Sequence, residues 1–322
     1  MTSKIIPIAG DASFRKFFRI IRKKNKKIII FSDKEKYKNL VAYTAINQFL
    51  RNNKILAPKL YEHNYSKGIV IIEDFGKISF YDLLLKSKKK LSIYKRLVDE
   101  LLKIQKIKIK KKIKTIFNKP HIVRKYSNSY LHKESDLFFD WYLPLFFKKK
   151  NTLYIKNRSK KILSRLYKSI NFPNTYFVHR DYHVQNLMKV GKKVGIIDSQ
   201  DALIGNPTYD LVSLIDDVRI KTSKKLKKQI YSYYLKKNKK FYKTNSNKFL
   251  QDFNILSVQR SLKIIGIFSR LFKRDKKKQY LRLIPYTWKL LEMRMNSEAF
   301  SDLKKIFDVN IPKKIRKKII SK

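Results

Sequence analysis

The sequence predicts an α+β fold of two lobes: a small β-rich lobe over residues 1–75 and a larger, mostly helical lobe over 76–322. Three observations carry that expectation. Short runs of Ile, Val and Phe, bounded by turn residues, dominate the first 75 positions, the mark of half-buried strands. From Ser79 onward apolar residues recur at helical spacing. One stretch, Tyr176–Asp198, interrupts that spacing with two short apolar runs around Gly191.

In chain order, Phe14–Ile21 reads as a strand and follows a turn of small residues, Ala9-Gly10-Asp11-Ala12-Ser13. Lys27–Phe31 is a second strand, and Glu35–Asn52 a helix with Leu40, Val41, Ala45, Ile46, Phe49 and Leu50 on one stripe. Gly68–Glu73 is another apolar strand that runs into Asp74-Phe75-Gly76, a hinge. Phe80–Leu85 and Ile93–Ile107 are amphipathic helices, and the basic run Lys106–Lys114 is a solvated helix end or loop. Aromatic residues on most sides of Asp136–Phe147 predict burial. Leu187–Val190 and Val194–Ile197 form a hairpin about Gly191-Lys192-Lys193. Helical spacing returns over Thr208–Asp217, Leu226–Lys237, Phe249–Phe272 and Gln279–Arg294.

Composition narrows the function classes. The 322 residues hold 43% hydrophobic side chains, enough for a sizeable core. There is no cysteine, which excludes disulfide scaffolds, thiolate metal sites and cysteine nucleophiles. No run of eighteen apolar residues occurs and Met1–Asp11 has no signal-peptide character, so a cytoplasmic protein is expected. The formal charge of +54 would suit nucleic acid or an anionic membrane. Its make-up points elsewhere: 62 Lys against 16 Arg, with 20 Asn and only 7 Ala, 7 Gly and 8 Pro, follows AT-rich codon usage. Selection for phosphate grip favours Arg, with its bidentate fork. No specific nucleic-acid partner is expected.

The chemistry concentrates in His179-Arg180-Asp181-Tyr182-His183-Val184-Gln185-Asn186 and in Asp198, which ends the second hairpin strand. Asp181 and Asn186 lie five apart on a loop, so both can face one cavity. An Asp closing an apolar strand is half-buried unless a cation meets it. Asn186 and Asp198 offer hard oxygen donors suited to Mg²⁺. Asp181 then remains to accept a proton from an attacking hydroxyl. Base Asp, metal Asn and metal Asp in that order is the layout of phosphoryl transfer in kinases. A polar helix-capping loop, or zinc on His179 and His183, are weaker readings of the same residues. Asp74-Phe75-Gly76 spells a kinase metal motif but precedes the loop by about a hundred residues. It fits a hinge better, with the backbone of Glu73, Asp74 and Phe75 available to an adenine.

At these residues the chain resembles the aminoglycoside phosphotransferase and choline kinase family, which has a protein-kinase-like fold. Gly10-Asp11-Ala12-Ser13-Phe14-Arg15-Lys16-Phe17-Phe18-Arg19 is similar to the opening of bacterial cell-wall amino-sugar kinases. Phe139–Leu143, His179–Met188, Ile197–Ala202, Pro207–Leu214 and Gln259–Phe268 fit the same group. The resemblance runs from about residue 7 to 295 and implies an ATP- and Mg²⁺-dependent kinase acting on the anomeric hydroxyl of N-acetylmuramate or N-acetylglucosamine. It implies Asp181 as base, Asn186 and Asp198 on Mg²⁺, and Gly10, Asp11, Ala12 and Ser13 over the ATP phosphates, where small residues let N–H groups approach. An ordinary hairpin turn is the plainer reading of that loop. Gln200 and Asp201 face the sugar or form a structural turn, and Asp210 and Arg180 act as scaffold. Trp141 and Tyr142 belong to the core or to a sugar-stacking face.

The sequence departs from the pattern at Ser199, where an aromatic is general, and at Ser261, where His is typical. Lys27–Phe31 holds no lysine in its interior, so Lys27, Arg15 or Arg19 must neutralise the phosphates, or Mg²⁺ must carry more of that load. The alternatives are a kinase of the same fold for choline, homoserine or an aminoglycoside, or a polyanion binder on an inactive kinase fold. Few acids lie in the C-terminal helices, which disfavours cationic substrates, whereas a lactyl carboxylate suits a basic pocket.

Overall fold

The structure is a computed structural model, described here for residues 4–8, 15–22, 25–33, 37–117, 119–238 and 245–318. These pack as two compact units, Met1–Lys125 with Thr175–Gly205, and Tyr126–Asn174 with Asn206–Lys322.

The first unit is built on a five-stranded antiparallel sheet. Its strands are β1 (Lys4–Ile8), β2 (Lys16–Arg22), β3 (Asn25–Phe31), β4 (Leu60–Asn64) and β5 (Ile69–Glu73), in the order β1-β2-β3-β5-β4. The register sets Ile8 against Phe17, Phe17 against Ile30 and Ile30 against Val70. Ile28, Ile30, Val70 and Ile72 thus share one sheet face, and α1 (Tyr37–Asn52) buries Leu40 and Tyr43 in the same cluster. Gly68 links β4 to β5 with a positive φ of 69°. A Cβ there would lie 1.9 Å from the Ser32 carbonyl oxygen, so only glycine fits.

The remaining parts of this unit carry the chemistry-bearing segment. A capping box between Ser79 and Asp82 opens α2 (Phe80–Lys86), and α3 (Lys90–Gln105) buries Tyr94, Leu97, Val98, Leu101 and Ile104. Two short strands, β6 (Lys112–Ile113) and β7 (His121–Ile122), pair beyond α3. β8 (Tyr176–Val178) pairs with β11 (Leu203–Gly205), and between them β9 (Leu187–Val190) and β10 (Lys193–Ile196) form the expected hairpin. This division differs from the sequence-based boundary at 75/76. Residues 175–205 pack with the sheet-bearing unit because hydrogen bonds bind them there. Tyr182 donates to the Leu97 carbonyl at 2.9 Å, Lys189 N–H to Ile78 O at 2.9 Å and Ile196 N–H to Leu56 O at 2.8 Å.

The second unit is helical: α4 (Asn128–Leu137), α5 (Lys149–Lys168), α6 (Thr208–Ile215), α7 (Lys224–Lys237), α8 (Ser246–Asp275), α9 (Ile284–Arg294), α10 (Ser301–Asn310) and α11 (Lys313–Lys317). A π-helical turn, Phe138–Tyr142, follows α4 and packs against α8. Gly266 makes that approach possible, since a Cβ would lie 2.3 Å from the Leu137 carbonyl carbon and 2.5 Å from the Phe138 nitrogen. Tyr142 is fully buried and accepts a 3.0 Å bond from Trp288 Nε1, a core position. Asp216 is buried among Lys227, Arg294 and Ser257 at 3.0, 2.8 and 2.7 Å. Burial alone would raise its pKa, but the two cations and the hydrogen bonds from Arg294 and Ser257 overcome that and hold it well below the ordinary carboxylate range. No helix among the described residues is long and apolar enough to cross a membrane.

Candidate active site

Strand alternation builds one wall of a cavity of about 500 Å³ within the first unit. Side chains two apart on a strand share a face, so Arg15, Phe17 and Arg19 line it from the β2 segment and Ile28 and Ile30 from β3. Glu73, Asp74, Phe75 and Gly76 border it after β5. Asn186, Met188, Ile197 and Asp198 border it from the loop and hairpin.

The loop after β8 folds by short-range bonds. His183 N–H donates to Asp181 O and Asn186 N–H to His183 O, both at 2.9 Å. Asn186 Nδ2 donates to the Asp181 carbonyl at 3.0 Å, which leaves Oδ1 as the amide edge suited to a cation. Ile197 N–H donates to Asn186 O at 3.1 Å and so seats the residue before Asp198 against Asn186. His179, 1% exposed, bonds the Ile197 carbonyl through Nε2 at 3.0 Å. Arg180 and Asp198 both hold positive φ, 73° and 66°, costly backbone that persists where surroundings over-determine it.

Asp198 Oδ1 accepts from Arg15 Nη2 at 2.6 Å and from Gln200 Nε2 at 3.1 Å. Gln200 Oε1 in turn accepts from Arg15 Nη1 at 3.1 Å. Arg15 lies 5.6 Å from the Phe17 ring centroid and 5.7 Å from that of Tyr43. Burial, with some help from the Asp198 charge, pushes the Tyr43 hydroxyl up to about 12 against the opposing Asn47 bond and Arg15 charge. Tyr43 therefore stays protonated at neutral pH. Behind this cluster Ser199, fully buried, donates to Asn47 Oδ1 at 2.7 Å.

The structure brings Asn186 and Asp198 to one cavity and ties Asn186 to the Asp181 backbone. The Asp181 side chain is half-buried on the same loop but is not part of the cavity wall. Gln200 sits in the Arg15–Asp198 network, and exposed Asp201 takes Gln200 Nε2 at 3.2 Å and the Arg180 charge at 3.8 Å. Glu73, Asp74 and Phe75 border the cavity. The Glu73 N–H is bound by Lys59 O, and the Asp74 carboxylate is bound by Arg19 at 2.5 and 2.9 Å and by Gly76 N–H. Burial raises the Asp74 pKa, but the Arg19 bonds, the Gly76 N–H and the Arg19 and Lys26 charges outweigh it and leave the carboxyl below its ordinary value. Gly10, Asp11, Ala12 and Ser13 lie outside the described residues.

Of the three cations weighed from sequence, Lys27 pairs with Glu62 and is not in the cavity wall, and Arg19 is committed to Asp74. Only Arg15 meets Asp198. The Arg15–Asp198 and Ser199–Asn47 contacts were not anticipated; the alternation of Arg15, Phe17 and Arg19 was the one signal that pointed at the first. Among the described residues no three His, Asp or Glu side chains gather as a metal site, which leaves zinc on the histidines without a third such ligand. The Asn–Asp oxygen pair suits Mg²⁺, which takes its other ligands from water and phosphates.

The profile of the phosphotransferase enzyme family matches residues 4–241. The chain is 27% identical over 293 residues to the N-acetylmuramate/N-acetylglucosamine kinase of Pseudomonas aeruginosa, covering 90% of this chain and 83% of that one. It is 25% identical to the enzyme of the same name from Neisseria meningitidis, over 86% of this chain and 81% of the relative. Among solved structures it is similar to the ADP-bound aminoglycoside phosphotransferase APH(2'')-Ib, with TM-score 0.61 and 14% identity over 92% and 94% of the two chains. It is also similar to an ethanolamine kinase of Plasmodium vivax, with TM-score 0.62 and 15% identity over 93% and 84%. These likenesses establish the protein-kinase-like fold.

Proposed function

The chain belongs to the phosphotransferase enzyme family, and from that premise we propose that it transfers the γ-phosphoryl group of ATP to the anomeric hydroxyl of N-acetylmuramate or N-acetylglucosamine. The observation that carries the chemistry is the meeting of Asn186 and Asp198 at one cavity, with Asn186 bonded to the Asp181 backbone. The names of the relatives carry the sugar.

Asn186 and the Asp198 carboxylate would hold Mg²⁺, which would neutralise phosphate charge. The apolar wall of Phe17, Ile28, Ile30 and Ile72 receives the adenine beside the Glu73–Phe75 backbone. The sugar C1 oxygen forms a bond to the γ-phosphorus as the bond from that phosphorus to the β–γ bridging oxygen breaks, and ADP leaves. Asp181 orients the hydroxyl and accepts its proton late, because the transition state is loose and positioning supplies most of the rate. Gln200 and Asp201, after the metal carboxylate, meet the sugar hydroxyls on this reading. The reaction belongs to the cytoplasm, where ATP is available.

The test is ADP release with Mg²⁺ against N-acetylmuramate, N-acetylglucosamine, choline, homoserine and kanamycin. Turnover on the amino sugars, with phosphorus NMR locating the product phosphate at C1, is the expected result. Turnover on choline or kanamycin alone would overturn the sugar assignment and leave the phosphotransferase chemistry standing.

A further inference from the structure

We propose that Arg15 is the phosphate-binding cation of this nucleotide site, and that without nucleotide it is parked on Asp198. This rests on the reading of Asp198 as a metal ligand and goes beyond it. Protein kinases place a lysine on the third strand and pair it with a glutamate on the following helix. Here the cavity-facing positions of β3 are Ile28 and Ile30, and α1 contains no Asp or Glu at all. Of its residues Tyr43 lines the cavity and Asn47 holds Ser199 behind it, both buried. Among the described residues both halves of the usual pair are therefore missing together.

Among the described residues three cations border the cavity. Arg19 is held bidentately by Asp74 and also donates to the Gly76 carbonyl at 2.9 Å. Lys77 is exposed. Arg15 has a side chain only 5% exposed, set near the Phe17 and Tyr43 rings, with its guanidinium on Asp198. A buried guanidinium positioned in this way loses little freedom on binding and matches phosphate oxygens with two parallel N–H bonds.

Asp198 Oδ1 already takes Arg15 at 2.6 Å. A divalent cation on that oxygen would face a guanidinium at contact distance, so metal and Arg15 compete for it. Phosphates resolve the competition: they offer Arg15 a new anion as the metal takes the carboxylate. Gln200 touches both partners, donating to Asp198 and accepting from Arg15, and can keep hold of Asp198 when Arg15 leaves. Nucleotide and metal are thereby coupled, each favouring the other. The pairing also keeps Asp198 from gathering stray divalent cations before nucleotide arrives.

The experiment compares wild type, Arg15→Met and Arg15→Lys, with circular dichroism confirming the fold. Calorimetry reads MgATP, ligand-observed NMR reads adenosine, and electron paramagnetic resonance reads Mn²⁺ without nucleotide. Arg15→Met should lose about 10–100-fold in MgATP affinity while adenosine stays within about twofold. Mn²⁺ alone should bind the variant about tenfold more tightly, because Asp198 has lost its competitor. Equal weakening of MgATP and adenosine, or Mn²⁺ binding no tighter than wild type, would overturn the proposal and make Arg15 a scaffold residue. If Arg15→Met does not fold, Arg15→Lys decides: the preference for MgATP over adenosine falls about 3–10-fold, and an unchanged preference overturns the proposal. Wild type that binds no MgATP would sink the nucleotide-site reading itself; wild type that binds it, beside an Arg15→Met protein that binds it equally, sinks only the role of Arg15.

Discussion

Gly195→Ala tests whether the hairpin sets the position of the Phe75 ring. Gly195 lies in β10, opposite Met188 in β9. An added Cβ would stand 2.6 and 2.7 Å from Cδ2 and Cε2 of Phe75 and 3.0 Å from Val190 Cγ2. Ordinary contact begins near 3.4 Å, so the Phe75 ring must withdraw by roughly 0.8 Å. Phe75 is 8% exposed and borders the cavity, so its room to withdraw lies where the adenine is proposed to sit. Overpacking of this kind costs about 1–3 kcal/mol. The expected result is a stability loss in that range by urea denaturation, with weaker ADP binding by calorimetry. Gly191→Ala, in the turn between β9 and β10, is the control. Gly191 has φ 55° and nothing within 4 Å of an added Cβ. It should cost about 1 kcal/mol in backbone strain and leave ADP affinity unchanged. A Gly195→Ala protein as stable as wild type with wild-type ADP affinity would refute the reasoning, as would an equal effect on ADP from both substitutions.

Four further outcomes are expected. Ser199→Ala leaves the buried Asn47 Oδ1 without its donor and should cost about 1–3 kcal/mol, and a double-mutant cycle with Asn47→Ala should show coupling between the two sites. Gly266→Ala sets a Cβ against backbone of Leu137 and Phe138, which cannot move aside as a side chain can, and thermal melting should show a loss of about 3 kcal/mol or more. Stability measured by urea denaturation should decline with acid over two pH ranges. His121 and His132 have pKa values lowered first by burial, so their contribution is whole above about pH 6.5 and is lost below it. Asp74 and Asp216 have lowered pKa values too, so their contribution is whole above about pH 4 and is lost as pH falls further. Asp216→Asn should cost about 3–5 kcal/mol at neutral pH, since Lys227 stays buried without its carboxylate, and should flatten the acid limb of a pH–stability curve.

The parts of the fold that announce themselves in sequence are those with strong local pattern. The hairpin was expected at Leu187–Val190 and Val194–Ile197 and stands at Leu187–Val190 and Lys193–Ile196, because Gly191 marks its turn. The stripe of Leu40, Ile46 and Leu50 identified α1, and the burial expected over Asp136–Phe147 is found at Phe138, Phe139 and Tyr142, whose π-helical turn no sequence pattern marks. β4 carried no signal: Leu60-Tyr61-Glu62-His63-Asn64 is an edge strand, mostly exposed and interrupted by a register shift. β8 and β11 are three residues each, too short for periodicity to register. At the site, Asn186 and Asp198 were legible because loop and hairpin fix their spacing within a dozen residues. Arg15 and Asp198 are 183 positions apart, and Ser199 and Asn47 are 152 apart. Contacts at such separation are set by how the sheet and the segment 175–205 pack, for which no local pattern speaks.

The most direct measurement of the account is single-turnover phosphoryl transfer to N-acetylmuramate by Asp181→Asn and Asp198→Asn, with MgADP affinity measured in parallel. Asp181→Asn should bind MgADP as wild type does and lose at least about 100-fold in rate, since general-base and positioning contributions of this kind are worth about 10²–10⁴. Asp198→Asn should lose both MgADP affinity and rate. An Asp181→Asn protein with wild-type turnover, or an Asp198→Asn protein that binds MgADP unchanged, would contradict the division between proton acceptor and metal ligand on which the proposed function stands.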